Sequence, residues 1–261
     1  MLLDGKVAVI YGAGGAIGGA VAKAFAAEGA RLFLTGRTRA GVEVVAKDIS
    51  AAGGSVETAE IDALDEQAVD GYLRYVADQA GRIDISFDAI GLADTDILGA
   101  PLTELDAEKF ALPITTYTMS YFLTARLAAR RMIPAKSGVI MTVTALPAKM
   151  AFPLNGGYGA SSAAKEQITR DLSLELAPHG IRVVGLRPHG LPESGLMREV
   201  YDAKNMSITW EQFQQFLADS SHPRRNQTLQ DVAGTAVFLA SDLASGLTGT
   251  TVNLSMGAVC D

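Results

Sequence analysis

Two groups of residues in this sequence have types and spacings suited to chemistry. The first is Gly12-Ala13-Gly14-Gly15-Ala16-Ile17-Gly18, which follows the apolar run Lys6 to Tyr11 and precedes an alanine-rich helical stretch. Glycines at a strand-to-helix turn admit positive φ angles and close backbone approach. Amide N–H groups between Gly12 and Gly18, those of Gly14, Gly15 and Ile17 included, can then face a pyrophosphate. A tight turn needing small residues for packing alone looks the same locally; a place after the first strand of a β–α–β unit is what dinucleotide binding requires. The second group is Gly36-Arg37-Thr38-Arg39, with no carboxylate until Glu43. Folds that bind NAD place an acidic residue here against the ribose hydroxyls. Two guanidiniums and a hydroxyl instead suit a 2′-phosphate, so NADP(H) is expected over NAD(H), the alternative being two solvated arginines at a helix start. Asp62 stands where a carboxylate could accept from the adenine amino group, or could cap the following helix. His179, His189 and His222 lack any ligand spacing, and no metal is expected.

These residues need elements to hold them. Short apolar runs at 6–11, 31–36, 55–62, 83–90, 138–144, 181–186 and 250–254 read as strands. Helical stretches cover about 18–28, 39–52, 65–80, 104–133, 159–176 and 230–241, with Pro113 marking an expected break or bend in the fourth. Strict alternation requires crossovers, hence an α/β, Rossmann-type doubly wound parallel sheet with helices on both faces. No repeat or linker divides the chain, so 1–261 is expected to be one domain. The segment 193–221 lacks strand character and holds amphipathic helical pieces around 210–217. Ligands bind outside the carboxyl ends of such strands, so this insertion is expected to cover the site, an ordinary surface excursion being the alternative.

The 261 residues are 48% apolar and carry 22 basic against 29 acidic side chains, a net charge of −7. That composition makes a large core and excludes disorder; the acidic balance argues against nucleic acid or an anionic membrane as partner. One cysteine, Cys260, rules out an intrachain disulfide framework. The amino terminus shows no secretory signal, and no apolar run is long enough to span a bilayer, so a cytoplasmic protein is expected.

With the glycine turn on the page, further segments carry a resemblance. Leu174-Glu-Leu-Ala-Pro-His-Gly-Ile-Arg-Val183, Val237-Phe-Leu-Ala-Ser-Asp242 and Leu247-Thr-Gly-Thr250 look very much like segments of the short-chain dehydrogenase/reductase family, and the likeness runs end to end. The family's T-G-x-x-x-G-x-G falls on Tyr11 to Gly18, with Tyr11 for threonine and Ala16 for the middle glycine. The resemblance implies a nicotinamide cofactor, a small-molecule substrate, and a homotetramer or homodimer built through the two long helices. The family's asparagine-rich segment after strand four reads Asp88-Ala-Ile-Gly91, and its P-G after strand six reads Pro188-His189-Gly190, which places Gly91 and Pro188 among the implied cofactor contacts.

The family's tyrosine acid/base falls on Tyr158, but its lysine position holds Ser162. A phenol is a poor base at neutral pH without a cation or hydrogen bond to hold its anion. Lys165 is the obvious substitute, and Tyr158-x6-Lys165 is similar to the spacing in enoyl-acyl-carrier-protein reductases. In helix register, however, it is Ser162 that keeps the lysine slot. Lys165 either leans back over Ser162 or is an ordinary surface lysine. The family serine position falls on Ala145; Thr144, one residue early, could supply the hydroxyl, though it is expected on the other sheet face unless the strand end bends. Tyr117 stands at the family asparagine, either donating into the pocket or filling its volume. His189 is a second candidate proton donor or a locally bonded loop residue.

Together these readings imply an NADP(H)-dependent oxidoreductase acting on a small apolar carbonyl, alcohol or enoyl substrate. Tyr158 would be the proton donor and Lys165 and Thr144 its helpers. Leu196, Met197, Tyr201, Met206 and Trp210 are the expected apolar cover. The alternative is a catalytically weakened relative that binds cofactor or ligand as a sensor or accessory protein.

Overall fold

Parallel pairing follows from the crossovers, and the computed structural model describes how they are laid out over residues 1–93, 95 and 97–260. Strands β1 (Val7–Tyr11), β2 (Arg31–Gly36), β3 (Val56–Glu60), β4 (Ile85–Asp88), β5 (Gly138–Val143), β6 (Ile181–Pro188) and β7 (Thr250–Leu254) form one sheet. Their order is β3-β2-β1-β4-β5-β6-β7, and every neighbouring pair is parallel. The order reverses between β1 and β4, which is where a doubly wound sheet opens a crevice.

Helices α1 (Ala16–Ala27), α2 (Arg39–Ala51) and α8 (Leu229–Ala240) cover one face of the sheet. Phe25, Ile49 and Val232 pack there against Ile10, Leu34, Phe87 and Leu186. On the other face lie α3 (Glu66–Ala80), α4 (Ala107–Met132) and α5 (Tyr158–Leu176), where Leu73, Tyr121 and Leu176 meet Val9, Tyr11, Ile140 and Val183. This is the single-domain α/β architecture expected. Among the described residues no helix is long and apolar enough to cross a membrane.

Strand alternation decides which side chains reach α4 and α5. In β4, Ile85 and Phe87 face the first core, so Ser86 and Asp88 face the second. In β5, Val139 and Met141 face the first core, so Ile140, Thr142 and, just past the strand, Thr144 face α5. The expectation that Thr144 points to the opposite face is therefore not met; its N–H still pairs with the Leu186 carbonyl, and the alternation continues one residue beyond β5.

Two element boundaries also differ from expectation. β4 is shorter than 83–90, and Ala89 to Ala93 form a loop at the crevice. α4 runs through Pro113 without a stop. The carbonyl that Pro113 leaves unbonded lies at Lys109, in the exposed early turns of the helix, while the proline ring is buried near Gly157 at the start of α5. The segment 193–221 forms two helices, α6 (Gly195–Ala203) and α7 (Trp210–Ser220), capped by the side chains of Ser194 and Thr209.

Candidate active site

The crevice at the carboxyl ends of β1, β4 and β5 is a cleft of about 810 Å³. One end is the glycine turn. Gly12 sits at φ +73°, and a Cβ there would lie 2.6 Å from the Ala89 carbonyl oxygen, so only glycine fits without displacement. Gly14, Gly15, Ala16 and Ile17 line the cleft. A Cβ on Gly18 would run into the Gly12 carbonyl, so Gly18 serves the close packing of turn on helix and is not among the lining residues. Gly15 caps α1 with no side-chain hydrogen bond, and the first turn holds no acidic residue. The first N–H groups of α1 are thus left for an anion, whereas the Gly15 N–H donates to the Gly12 carbonyl at 3.1 Å and is not available as expected; the turn as a whole fits a dinucleotide pyrophosphate. Tyr11, in place of the motif's threonine, is buried against α3 and α4, and burial pushes its phenol well above the ordinary range.

Beyond the turn, Arg37, Asp62, Gly91 and Thr116 line a smaller pocket of about 100 Å³, and Arg37, Thr38 and Gly91 also line the main cleft. Arg39 does not join them. Its Nε donates to Glu43 Oε1 at 2.7 Å, one helical turn along α2. Arg37 has no carboxylate within ion-pair distance among the described residues, so its charge is available to a ligand. Asp62 Oδ1 accepts from the Leu64 N–H at 3.0 Å, while α3 is capped by Asp65, which accepts from Gln67 and Ala68. Pro188 ends β6 beside Leu254 and is not a lining residue; Ser194, Gly195, Leu196 and Glu199 are.

At the other end, Tyr158, Ser162 and Lys165 line the cleft from one face of α5. Their spacings of four and seven residues bring side chains nearly into line, since seven residues fall about 20° short of two turns. Lys165 is 3% exposed, so it is no surface lysine. Its Nζ donates to Asp88 Oδ1 at 3.1 Å and lies 5.8 and 5.6 Å from the ring centroids of Tyr117 and Tyr121. The Tyr117 ring meets that of Tyr158 edge-on at 5.8 Å, and its hydroxyl accepts from the Leu92 N–H at 2.9 Å. Thr144 lines the same wall, but its hydroxyl donates to Glu166 Oε1 at 3.2 Å, with the Leu186 carbonyl at 3.4 Å as a second acceptor. Arg187 Nη1 donates to both Glu166 oxygens at 2.9 and 3.1 Å, which keeps that carboxylate an acceptor. Thr144 therefore presents lone pairs, not a hydrogen, to the cleft.

His189 lies apart from the cleft lining. Its ring Nε2 pairs with Ser220 Oγ at 3.0 Å, its N–H donates to Gln227 Oε1 at 2.7 Å, and burial pulls its pKa down. The local reading of this histidine is the one the geometry supports. Of the five expected cover residues, Leu196 lines the cleft. Tyr201 and Trp210 pack edge-on at 5.4 Å, both against Phe213, with the Arg198 guanidinium 5.3 Å from each of their centroids. The partners of Lys165 and Thr144 were not identified from sequence. A signal was present: Asp88 and Arg187 each sit in mostly apolar buried strands, where a charge must be paired.

This geometry agrees with what the chain is similar to. Residues 12–258 match the family model described as enoyl-(acyl carrier protein) reductase, and the chain belongs to the short-chain dehydrogenase/reductase family of oxidoreductases. It is 31% identical over 262 residues to secoisolariciresinol dehydrogenase of Forsythia intermedia, covering 99% of this chain and 91% of that protein. It is 28% identical to 7alpha-hydroxysteroid dehydrogenase of Escherichia coli K12, over 98% of this chain and 95% of that one. A crystal structure of NAD+-bound xylitol dehydrogenase superposes with a TM-score of 0.91 at 25% identity, covering 97% and 99% of the two chains.

Proposed function

We propose that this chain is an NADP(H)-dependent oxidoreductase acting on a carbonyl, alcohol or enoyl group of a small substrate, with Tyr158 as proton donor to the reacting oxygen. The observation that carries the reading is the one cleft that joins Gly12, Gly14, Gly15 and Ile17 at one end to Tyr158, Ser162 and Lys165 at the other. The bound nicotinamide would supply or accept the hydride. The chain's own residues divide the remaining work. The glycine turn and the start of α1 hold the pyrophosphate, Gly91 leaves room for the adenosine, Asp62 faces the adenine, and Arg37 meets the 2′-phosphate. The choice of NADP(H) rests on Arg37 and Thr38, because Arg39 is committed to Glu43. Pro188 shapes the loop after β6 from behind the cleft wall.

At the reacting end Tyr158 holds the proton, with Lys165 supplying positive charge from two turns further along the same helix face. Thr144 accepts from a substrate hydroxyl and does not donate to a carbonyl. That leaves Tyr158 as the main donor to the reacting oxygen. The hydroxyl-rich wall of Tyr117, Thr144, Tyr158 and Ser162 favours a small polar carbonyl or alcohol over a long apolar chain. α6 closes the cleft through Ser194 and Leu196, with α7 supporting it through the aromatic cluster, and 193–221 acts as the lid. Exposed Phe110, Leu112, Met119 and Phe122 on α4 with Leu174 on α5 suit pairing with further copies of the chain, as a homodimer or homotetramer.

The test is a binding titration with NADPH and NADH followed by an oxidation screen over ketones, enones and acyl thioesters, for wild type and Tyr158→Phe. Preference for NADPH and a turnover that Tyr158→Phe lowers by about 10²–10⁴-fold are expected. Tight NADPH binding with no turnover of any acceptor would overturn the catalytic reading, and preference for NADH would overturn the cofactor.

A further inference from the structure

Asp88 closes β4 beside the point where the strand order reverses, and its side chain is 1% exposed. A carboxylate in such a place requires a counter-charge, because an unpaired buried charge is far more costly than a paired one. Lys165 provides it, 77 positions away in the chain, through the 3.1 Å contact to Oδ1. Asp88 Oδ2 has no hydrogen-bond partner among the described residues, so the ammonium is what holds this carboxylate.

The other neighbours of the ammonium are two aromatic rings, an arrangement that attracts a cation to the ring faces. Both rings are themselves tethered: Tyr121 exchanges a hydroxyl hydrogen bond with Thr169 at 3.0 Å, and Tyr117 accepts from Leu92. Glu166, next in the chain, does not compete for Lys165, since it turns to Arg187 on the β6 side. The lysine is thus boxed by Asp88, Tyr117 and Tyr121 and open towards the cleft.

Ser162 stands between Tyr158 and Lys165 on the same helix face. It is buried, it lines the cleft, and its hydroxyl makes no hydrogen bond to the described protein residues. Side chains on a helix lean towards its amino terminus, which carries the ammonium back towards the level of Ser162.

We propose that Asp88 is a positioning residue: with Tyr117 and Tyr121 it fixes the Lys165 ammonium at the cleft floor, where this cation and the Ser162 hydroxyl together replace the lysine that the family pattern places at 162. The inference rests on the functional reading above. Asp88 touches neither substrate nor cofactor and acts through Lys165. Ser162 presents a hydroxyl to the ribose of the bound nucleotide, and the charge behind it stays in one place because the box holds it.

The test is a four-member cycle on the intact chain: wild type, Asp88→Asn, Lys165→Met and the double variant. NADPH affinity, the melting midpoint and, for any acceptor turned over, kcat and KM are read separately. Asp88→Asn is expected to weaken NADPH binding about tenfold and lower kcat by about 10–100-fold with the acceptor KM little changed. In the Lys165→Met background the same substitution should change neither by more than about twofold, because non-additivity reports the shared pathway. Ser162→Ala should weaken NADPH binding without moving the melting midpoint. Equal effects of Asp88→Asn in both backgrounds, or none in the wild-type background, would overturn the proposal. Should Asp88→Asn alone not fold, recovery of a folded chain in the double variant reports the same coupling, and failure of both overturns it. A wild type that binds no NADPH or turns over no acceptor would sink the functional reading instead, and the melting midpoints would still decide whether Asp88 and Lys165 are coupled.

Discussion

The Thr144 hydroxyl donates to Glu166 at 3.2 Å, and its only hydrogen is spent inside the protein. The geometry would be equally closed if that hydrogen went to the Leu186 carbonyl at 3.4 Å. A hydroxyl so engaged cannot polarise a substrate carbonyl by donation. The residue nearest the family serine in sequence is thereby a wall and an acceptor, which on the function proposed above leaves proton donation to Tyr158.

Removing the two hydroxyls should therefore have unequal effects. Tyr158→Phe is expected to lower kcat by about 10²–10⁴-fold, the usual range for a positioned acid. Thr144→Val should stay within about tenfold of wild type in kcat and lose about 1 kcal/mol of stability, because Glu166 is left one hydrogen bond short. Steady-state kinetics with a turned-over acceptor, and denaturant melts of both variants, check this. A Thr144→Val loss as large as that of Tyr158→Phe would make Thr144 a donor after all.

Arg37 lines the smaller pocket with no ion pair among the described residues, while Arg39 is held by Glu43. Arg37→Ala should weaken NADPH binding by about 10–100-fold, the value of a charge-assisted contact to phosphate, and leave NADH binding unchanged. Arg39→Ala should alter neither by more than about twofold. Titrations with both nucleotides distinguish the two arginines.

Arg187 and Glu166 form a pair whose side chains are 1% and 4% exposed. Arg187→Met should cost about 3–5 kcal/mol, because a buried carboxylate loses its principal counter-charge. Lys149, 3.7 Å from Glu166 and partly exposed, softens that loss. The double variant Arg187→Met/Glu166→Leu should recover much of it, since the pair is then removed whole. Urea unfolding of wild type and the two variants measures the difference.

His189 is neutral in the fold because burial disfavours its charged form. Its folded pKa lies below the ordinary value of about 6.5 that applies in the unfolded chain. Between those two values the unfolded chain binds the proton and the folded chain does not. Stability contributed by His189 is therefore present above pH of about 6.5 and is lost as pH falls below it. The melting midpoint should drop between about pH 7 and 5, and His189→Gln should flatten that part of the profile.

Much of the architecture was legible in the chain. Arg31–Gly36 and Thr250–Leu254 have as strands the bounds that their flanking turn residues indicate, and the glycine turn lies where its motif places it. These features are local, carried by apolar runs and the glycines that end them. The reacting end was legible only in part. Tyr158 and Lys165 could be singled out by type, but Asp88 and Lys165 meet because β4 is a central strand and α5 lies over it, which no local pattern encodes. Glu166 likewise finds Arg187 and Thr144 only after β5 and β6 are paired. The expectation that Thr144 points to the other sheet face failed on a single residue of strand alternation, and of the expected apolar cover Leu196 lines the cleft while Tyr201 and Trp210 pack on each other.

The boxed lysine also constrains what this site can become. A chain that carried a lysine at Ser162 while keeping Lys165 would set two ammonium groups one helical turn apart over a single buried carboxylate. One of them would lack a counter-charge. A change to the family arrangement thus passes through a less stable variant unless both positions change together. Each substitution is acceptable only in the presence of the other, so one buried carboxylate ties the residue choices at 162 and 165 together.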